Sequence, residues 1–357
     1  MTTTRISSRW FVTWFLLFTQ VSAFSVNNNN RNNGNNNIKD NGTDIKDIIE
    51  VNEEAPESFS RRNLLIWPIG ILGAAGYGKL LSNTLDNLFR GYLAFPEDHE
   101  RRVRMVLSKS LQASAQSLMA LSDSSSSSSP PSLSRPFRVL EVGIGDEWRL
   151  TRRGLYQDAL QELNQMGIRT LDVTGVDLVT PKEAILQQAR DKMQSLVATA
   201  ANGDSLKVNL NAVKGSITTK LDDYPNGYFD AVVCSLTLCS VDDQAAALAE
   251  IHRLVRSSGG TFGYLEHVAV NEDEPFKFLE VQQEVLDPLQ QAVADNCHLH
   301  RYTDASIAEE FRVPTDIDKA EQLLTSSSSS YLLHERFLVD GMWPISCQCC
   351  GVIQQRI

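Results

Sequence analysis

The sequence has no long basic block, few cysteines and no series of long apolar runs. Its 33 lysines and arginines are outnumbered by 44 aspartates and glutamates, and the net charge is −11. Because phosphate neutralisation needs clustered Lys and Arg, this disfavours nucleic-acid binding as the main activity. Six cysteines in 357 residues are too few for a disulfide scaffold. An apolar content of 42% indicates a globular protein and excludes collagen-like, fully disordered and polytopic membrane classes.

The first 23 residues are predicted to be a secretory signal peptide. Arg5 and Arg9 come before a short apolar run, and Val21-Ser22-Ala23 supplies small residues for cleavage. An uncleaved anchor is the alternative. The Ser-Ala-Phe junction at residues 22–24 resembles the presequences of algae with complex plastids, whereas acids in the following segment are unusual for a transit peptide. The expected location is therefore membrane-associated, in a plastid or the endoplasmic reticulum.

Two further segments come before the folded part of the chain. Residues 24–59 are rich in Asn and are predicted to be a presequence or linker, because such a tract cannot bury a core. Residues 60–83 are predicted to be a hydrophobic membrane anchor, since the apolar run Leu64–Leu81 is close to bilayer length. The pair Arg61-Arg62 leaves open a twin-arginine export signal. A buried helical hairpin is the third interpretation of the same run.

A helical lead-in and a linker separate this run from the main domain. Residues 84–121 have apolar positions at helical spacing, interrupted at Pro96. Residues 122–135 contain six consecutive serines and two prolines, which is typical of a flexible linker. The main domain is therefore expected to span residues 136–357.

Strands and helices are predicted to alternate along the main domain. A strand, a glycine turn and a helix open it, and further strand–helix units follow at lengths that indicate a doubly wound α/β sheet with right-handed crossovers. Asp242 or Asp243 is predicted to cap the helix after the fourth strand. The predicted strands are Phe137–Val142, Ile168–Val176, Leu206–Val213, Phe229–Leu236 and Thr261–Leu265, and the first two helices are Trp148–Met166 and Pro181–Ala198.

The glycine turn after the first strand indicates the kind of cofactor. The dinucleotide fingerprint needs a third glycine where this chain has Trp148, so a dehydrogenase is disfavoured. The turn instead fits acid-x-Gly-x-Gly, with Glu141, Gly143 and Gly145. A carboxylate here can bind an ammonium group, and the glycines allow close backbone approach. Asp177, at the end of the second strand, can accept hydrogen bonds from ribose hydroxyls.

Three later blocks carry a family resemblance. They are residues 229–241, residues 253–260 and Leu265-Glu266-His267-Val268. With the glycine turn, they resemble class I S-adenosylmethionine-dependent methyltransferases of the type-11 group, and look most like the methyltransferase-like 7 thiol methyltransferases, over residues 137–357. The resemblance implies a seven-stranded Rossmann-like sheet. Its last two strands would form an antiparallel hairpin, here assigned to Tyr331–Val339 and Cys349–Gln354.

The expected site follows from the strand ends and the resemblance. His267 and Glu266, at the end of the fifth strand, are the candidate catalytic residues that could remove a proton from the acceptor, with a structural role for His267 as the alternative. No metal site is predicted, because Cys347, Cys349 and Cys350 lack the spacing of a zinc site and His298 and His300, beside Cys297, lack a partner cluster. The S-adenosyl-L-methionine contacts are expected to be Glu141, Gly143, Gly145, Asp177, Leu178, Ser216, Ile217 and Ser235.

The predicted function is methyl transfer to a small, lipophilic acceptor, which the resemblance implies to be a thiol. A plastid prenyl-quinone or similar ring is an alternative acceptor, suggested by the presequence. A cofactor-binding protein without turnover is a third hypothesis, because Glu147 stands where the family's motif has a further glycine. The expected partners are a small-molecule acceptor and, through Leu64–Leu81, a membrane, with no nucleic acid.

Overall fold

The computed structural model describes residues 90–123, 135–198, 206–313 and 329–356, together with Asn87. By its internal contacts the chain divides into residues 1–84 and residues 85–357. The predicted signal peptide, Asn-rich segment and apolar run Leu64–Leu81 lie outside the described residues, as does most of the Ser/Pro linker. Among the helices that are described, none is both long and apolar enough to cross a membrane.

Seven strands and seven helices are found in the described residues. The strands are β1 (Phe137–Val142), β2 (Thr170–Asp177), β3 (Lys207–Lys214), β4 (Ala231–Ser235), β5 (Thr261–His267), β6 (Ser329–Leu338) and β7 (Cys347–Gln355). The helices are α1 (Glu97–Asp123), α2 (Arg149–Arg152), α3 (Gln157–Gln165), α4 (Glu183–Ala198), α5 (Gln244–Leu254), α6 (Lys277–Val293) and α7 (Thr303–Glu310).

The strands form one sheet in the order β3-β2-β1-β4-β5-β7-β6. Strands β1 to β5 are mutually parallel, whereas β7 runs antiparallel to β5 and pairs with β6 as a hairpin. This order confirms the predicted α/β fold with its terminal antiparallel hairpin. The order reverses between β1 and β4, and in open α/β sheets ligands bind at such a switch point, beyond the carboxyl ends of the strands.

Apolar layers cover both faces of the sheet. One buried cluster joins α1, α3 and α4 to residues such as Val139 and Val233, and another joins α5 and α7 to Leu140 and Val232. Adjacent residues of one strand thus enter opposite layers, as the alternation of side chains along a strand requires. The near-continuous apolar sequence of β4 follows from this double burial.

Helix α1 packs in the same compact unit as the sheet, so the predicted lead-in is a structural part of the main domain. Ser110 Oγ lies 2.9 Å from Thr261 Oγ1, and Ser114 Oγ donates to the backbone carbonyl of Asp230. The Asp230 carboxylate is fully buried and accepts two hydrogen bonds of 2.7 Å from Arg135. The domain therefore extends to the N-terminal side of residue 136.

Two predicted elements have different bounds because of left-handed residues. The helix expected over Trp148–Met166 is broken into α2 and α3, since Gly154 has a φ of +68° between them. The fourth strand ends at Ser235 because Leu236 has a φ of +54°. By contrast, the predicted cap of α5 is confirmed at Asp243, whose carboxylate accepts the N–H of Ala246 at 2.9 Å.

Candidate active site

The turn after β1 lies at the switch point of the sheet. Gly143 has a φ of +81° and Gly145 a φ of +63°, values that favour glycine over residues with a Cβ. The N–H of Gly145 donates to Asp177 Oδ2 at 2.9 Å, and the N–H of Gly143 donates to the carbonyl of Val176. The turn is thereby fastened to the end of β2.

The two glycines face different surroundings. A Cβ placed on Gly143 would overlap Thr237 Oγ1 and lie 2.6 Å from Thr237 Cγ2. A Cβ placed on Gly145 would meet no atom within 4 Å. Gly143 is thus needed for packing against the loop after β4, whereas Gly145 borders open space in which a ligand can approach the backbone.

Glu141 is turned into the protein. Its side chain is buried, and its Oε2 accepts hydrogen bonds from Trp148 Nε1 at 2.8 Å and Tyr156 OH at 2.6 Å. Burial raises the pKa of Glu141 to about 7, although both hydrogen bonds oppose the shift. The structure thus gives Glu141 a role in holding Trp148, and its expected contact with the cofactor stays a prediction.

Trp148 explains why the third glycine of a dinucleotide motif is absent. Its backbone φ is +50° and its side chain is fully buried against β2. There Gly175 provides the space, since a Cβ on Gly175 would lie 2.9 Å from the indole. The segment after the glycine turn is consequently built around a buried aromatic ring rather than a close helix–strand contact.

Asp177 and its neighbours form the rim at the end of β2. Asp177 Oδ1 accepts the N–H of Val179 at 3.1 Å, while Oδ2 accepts Gly145 as described. A carboxylate has about four acceptor positions, so each oxygen keeps one for a ligand hydroxyl. Leu178 is 66% exposed and lies directly beside it. An exposed leucine here suits the flat face of a base.

The other predicted cofactor contacts lie at the carboxyl ends of β3 and β4. Ser216 Oγ accepts the N–H of Thr218 at 3.2 Å, and Ile217 is buried beside it in the core. Ser235 ends β4, and its hydroxyl accepts a hydrogen bond from Arg149 Nη2 at 2.9 Å. Parallel strands bring these positions to the same edge of the sheet as Asp177.

Arg149 is a charged group of this region that the sequence analysis did not select. It is 8% exposed, and its guanidinium carbon lies 4.9 Å from the centre of the Phe95 ring. Its Nη1 is buried without a hydrogen-bond partner in the described residues. Burial lowers the pKa of Arg149 to about 10, although the carboxylate of Glu141 opposes this. No sequence motif singles out Arg149, because the direction of its side chain depends on the left-handed backbone of Trp148.

Glu147 does not present a free charge to this turn. Its carboxylate forms an ion pair with the guanidinium of Arg152, one turn further along. The acidic side chain on which the hypothesis of a protein without turnover rested is therefore paired with a cation of α2.

Glu266 orders the loop that follows β4. Its side chain is fully buried, and both carboxylate oxygens accept the N–H of Thr237, at 2.9 and 3.0 Å. The N–H of Cys239 also donates to Oε2 at 3.3 Å. Burial raises the pKa of Glu266, and these N–H groups oppose the rise. The geometry assigns Glu266 a positioning contact, and its catalytic role stays a prediction.

His267 is buried beside two cysteines from other segments. Its Nδ1 lies 3.6 Å from Cys297 Sγ, and Cys297 Sγ lies 3.9 Å from Cys239 Sγ. The contact with Cys239 lowers the pKa of the Cys297 thiol, burial opposes this, and His267 lowers it further. His267 Nε2 is buried and has no partner in the described part of the chain. The sequence analysis did not bring these three residues together, because they are distant in the chain.

Part of the chain is similar to known methyltransferases. Residues 154–262 match the family described as "Methyltransferase domain". Human thiol S-methyltransferase TMT1A is 42% identical over 76 residues, which make up 21% of this chain and 30% of that protein. Human thiol S-methyltransferase TMT1B is 38% identical over 79 residues, 22% of this chain and 30% of that protein. The matched stretch thus spans less than a third of these relatives.

Solved structures resemble the chain only distantly. A SAM-dependent methyltransferase from Methanosarcina mazei is 13% identical with a TM-score of 0.37, covering 63% of this chain and 94% of that one. The YcgJ protein from Bacillus subtilis is 13% identical with a TM-score of 0.34, covering 68% and 98%. The fold assignment rests on the strand order described above. That order is the order of the class I methyltransferase fold, and the match of residues 154–262 to a methyltransferase domain implies S-adenosylmethionine as the cofactor.

Proposed function

We propose that the protein transfers a methyl group from S-adenosylmethionine to a small, lipophilic thiol. The observation that carries this proposal is the 42% identity to human thiol S-methyltransferase TMT1A over 76 residues. Transfer from the sulfonium to a thiol yields a thioether, S-adenosylhomocysteine and a proton. Such a reaction depends mainly on alignment and on the exclusion of water, and the described residues supply groups for both.

The residues at the switch point fit this cofactor. Gly145 borders open space, and Asp177 keeps acceptor positions for two ribose hydroxyls. Leu178, exposed at the rim, offers an apolar contact to the adenine face. Gly145 follows β1, and Asp177 and Leu178 stand at the end of β2, so they can hold different parts of one extended ligand.

Arg149 is the proposed partner of the cofactor's carboxylate. Its Nη1 is buried without a hydrogen-bond partner in the described residues, while Ser235 holds Nη2. An unpaired buried donor is costly, and a carboxylate would satisfy it with a charge-assisted hydrogen bond. The same contact would place the methionine end of the cofactor next to β4.

The loop after β4 and the end of β5 form the proposed acceptor side. Glu266 fixes Thr237 and Cys239 through their backbone N–H groups, so this loop has a defined position next to Gly143. His267 lies one residue further along β5 and is 1% exposed. In this proposal His267 contacts the acceptor, and its burial supports a reaction from which water is excluded.

Membrane association is a second part of the proposal. Helix α6 exposes Phe278, Val281 and Val285, at 57%, 55% and 57%. The spacing of three and four residues places them on one face of the helix. With the apolar run Leu64–Leu81, such a face suits a protein that meets lipophilic acceptors at a membrane. Full-length protein recovered wholly in the soluble fraction after low-salt lysis would contradict this part.

The experiment uses the purified full-length chain with methyl-labelled S-adenosylmethionine. Matched series of small thiols, phenols and quinols serve as acceptors, and calorimetry measures cofactor binding in parallel. We expect thiols to be methylated at least about tenfold faster than their oxygen analogues. Preferred methylation of a quinol would overturn the acceptor assignment in favour of a ring methyltransferase. Cofactor binding without any methylation would instead support the hypothesis of a cofactor-binding protein without turnover.

A further inference from the structure

Cys239, His267 and Cys297 form a compact cluster of potential metal ligands. One ligand atom from each residue lies within 4.8 Å of those of the other two, and all three residues are buried. They come from the loop after β4, the end of β5 and the loop after α6. Neither the predicted cofactor contacts nor the packing of the core explains why two thiols and an imidazole converge here.

The distances agree with the edges of a zinc tetrahedron. With Zn–S near 2.3 Å and Zn–N near 2.0–2.1 Å, ligand atoms stand about 3.8 Å apart for two sulfurs and about 3.6 Å for sulfur and nitrogen. Here Cys297 Sγ lies 3.9 Å from Cys239 Sγ and 3.6 Å from His267 Nδ1. Two of the three edges therefore match, and the ligand atoms of Cys239 and His267 lie within 4.8 Å of one another.

The backbone holds the cluster in this arrangement. The N–H of Cys239 donates to Glu266 Oε2 at 3.3 Å, and the N–H of His298 donates to the carbonyl of Cys239 at 2.9 Å. The loops carrying both cysteines are thus tied to one another and to β5. Ligands fixed in advance lose little conformational entropy when a metal binds.

We propose that Cys239, His267 and Cys297 bind a Zn²⁺ ion through Sγ, Nδ1 and Sγ and leave the fourth coordination position to an external ligand. Two thiolates and an imidazole suit zinc rather than magnesium or calcium, which prefer oxygen. Three protein ligands with an open position are typical of catalytic zinc, whereas structural zinc has four.

The external ligand is the acceptor thiol, a statement that rests on the proposed function. The thiol displaces water from the fourth position, its sulfur bonds to zinc, and its proton leaves with that water. A coordinating thiol is deprotonated at neutral pH, so the metal supplies the nucleophilic thiolate at the carboxyl end of β5. His267 then acts as a ligand, and no separate base is required.

The metal content of the full-length protein tests the site. The chain is expressed with added zinc, purified without chelator or polyhistidine tag, and measured by plasma mass spectrometry. We expect about one zinc per chain, and at least about tenfold less in Cys239→Ala and Cys297→Ala. Cys350→Ala is the matched control, because Cys350 is equally buried and belongs to neither group of potential metal ligands in the described residues. Metal-free wild type, or loss of zinc in Cys350→Ala, would overturn the proposal.

Cobalt substitution needs no variant and therefore does not depend on mutant folding. Co²⁺ in the wild-type protein should give the intense visible bands of tetrahedral thiolate coordination, and these bands should shift on adding a small thiol but not its methyl thioether. A disulfide between Cys239 and Cys297 in protein freshly purified with a reductant present would also contradict the site. If the protein binds zinc but methylates no thiol, the proposed function is refuted and the metal site stands. If metal-free protein methylates thiols, the metal site is refuted and the proposed function stands.

Discussion

Gly143 and Thr237 are in direct contact, so that a side chain on Gly143 would overlap the Thr237 hydroxyl. Thr237 Oγ1 also donates to the carbonyl of Val142 at 3.2 Å, and the Thr237 N–H is held by Glu266. The glycine turn after β1 is thereby coupled through one threonine to the end of β5. The glycine turn and the proposed acceptor side thus meet at the contact between Gly143 and Thr237.

Because of this contact, Gly143→Ala and Gly145→Ala should have different effects. Gly143→Ala should destabilise the fold strongly, because Thr237 must move and φ is +81°. Gly145→Ala should cost only about 1 kcal/mol, for its φ of +63° alone, yet weaken S-adenosylmethionine binding. Chemical denaturation and calorimetric titration of both variants check this. Equal losses of stability in the two variants would refute the distinction.

Asp177→Ala should weaken the binding of S-adenosylmethionine. The substitution removes an acceptor for ribose hydroxyls and the hydrogen bond that holds Gly145, a loss of roughly 1.5–3 kcal/mol for a charged partner. Asp172→Ala is the matched control, because Asp172 lies on the same strand and binds Asn209 instead. Glu266→Ala should affect affinity less than Asp177→Ala does. Unchanged affinity in Asp177→Ala, measured by calorimetry, would remove Asp177 from the site.

Glu141 should make stability depend on pH in a defined direction. Burial raises its pKa from 4.5 to about 7, so the folded state binds more protons than the unfolded state between these values. Its contribution is fully present below pH 4.5 and is lost as pH rises through about 7. Glu141→Gln keeps an oxygen that can accept hydrogen bonds from Trp148 and Tyr156. It has no carboxyl group to ionise, so it does not lose stability over this pH range.

The stability of Glu141→Gln relative to wild type should therefore rise between pH 5 and pH 8, by on the order of 3 kcal/mol. Urea denaturation at the two pH values measures the difference. Glu284→Gln, at a solvent-exposed position on α6, is the control and should show no such change. A constant difference between Glu141→Gln and wild type would mean that Glu141 is charged in the folded protein throughout.

The sheet could be predicted from the sequence because its signals are local. Apolar runs of strand length, the glycine turn and the Asp243 cap each lie within a few residues, and β1 begins and ends where it was predicted. The break between α2 and α3 was not predicted, because the helical spacing of the segment does not show that Gly154 has a φ of +68°. The inward direction of Glu141 could not be predicted either, because it depends on Trp148 packing in the space beside Gly175 on another strand.

The candidate site was only partly predictable for a related reason. Asp177 and Gly145 belong to a pattern with fixed spacing, and the structure places them in contact. Arg149 and Cys297 belong to no pattern, because their positions depend on a left-handed residue and on a long loop. Residues that come together only in the tertiary fold form no pattern of fixed spacing in the sequence.

Arg149→Lys should weaken S-adenosylmethionine binding while leaving the fold intact. Lysine keeps the positive charge but lacks the planar fork that can hold Ser235 and a carboxylate together, so we expect a loss of roughly 1.5–3 kcal/mol. The control is Arg153→Lys, since Arg153 lies in the same segment but pairs with Glu100. A cofactor analogue without the carboxylate separates positioning from general destabilisation. Wild type and Arg149→Lys should bind this analogue with similar affinity, and an equal penalty for both ligands would show that Arg149 does not contact the carboxylate.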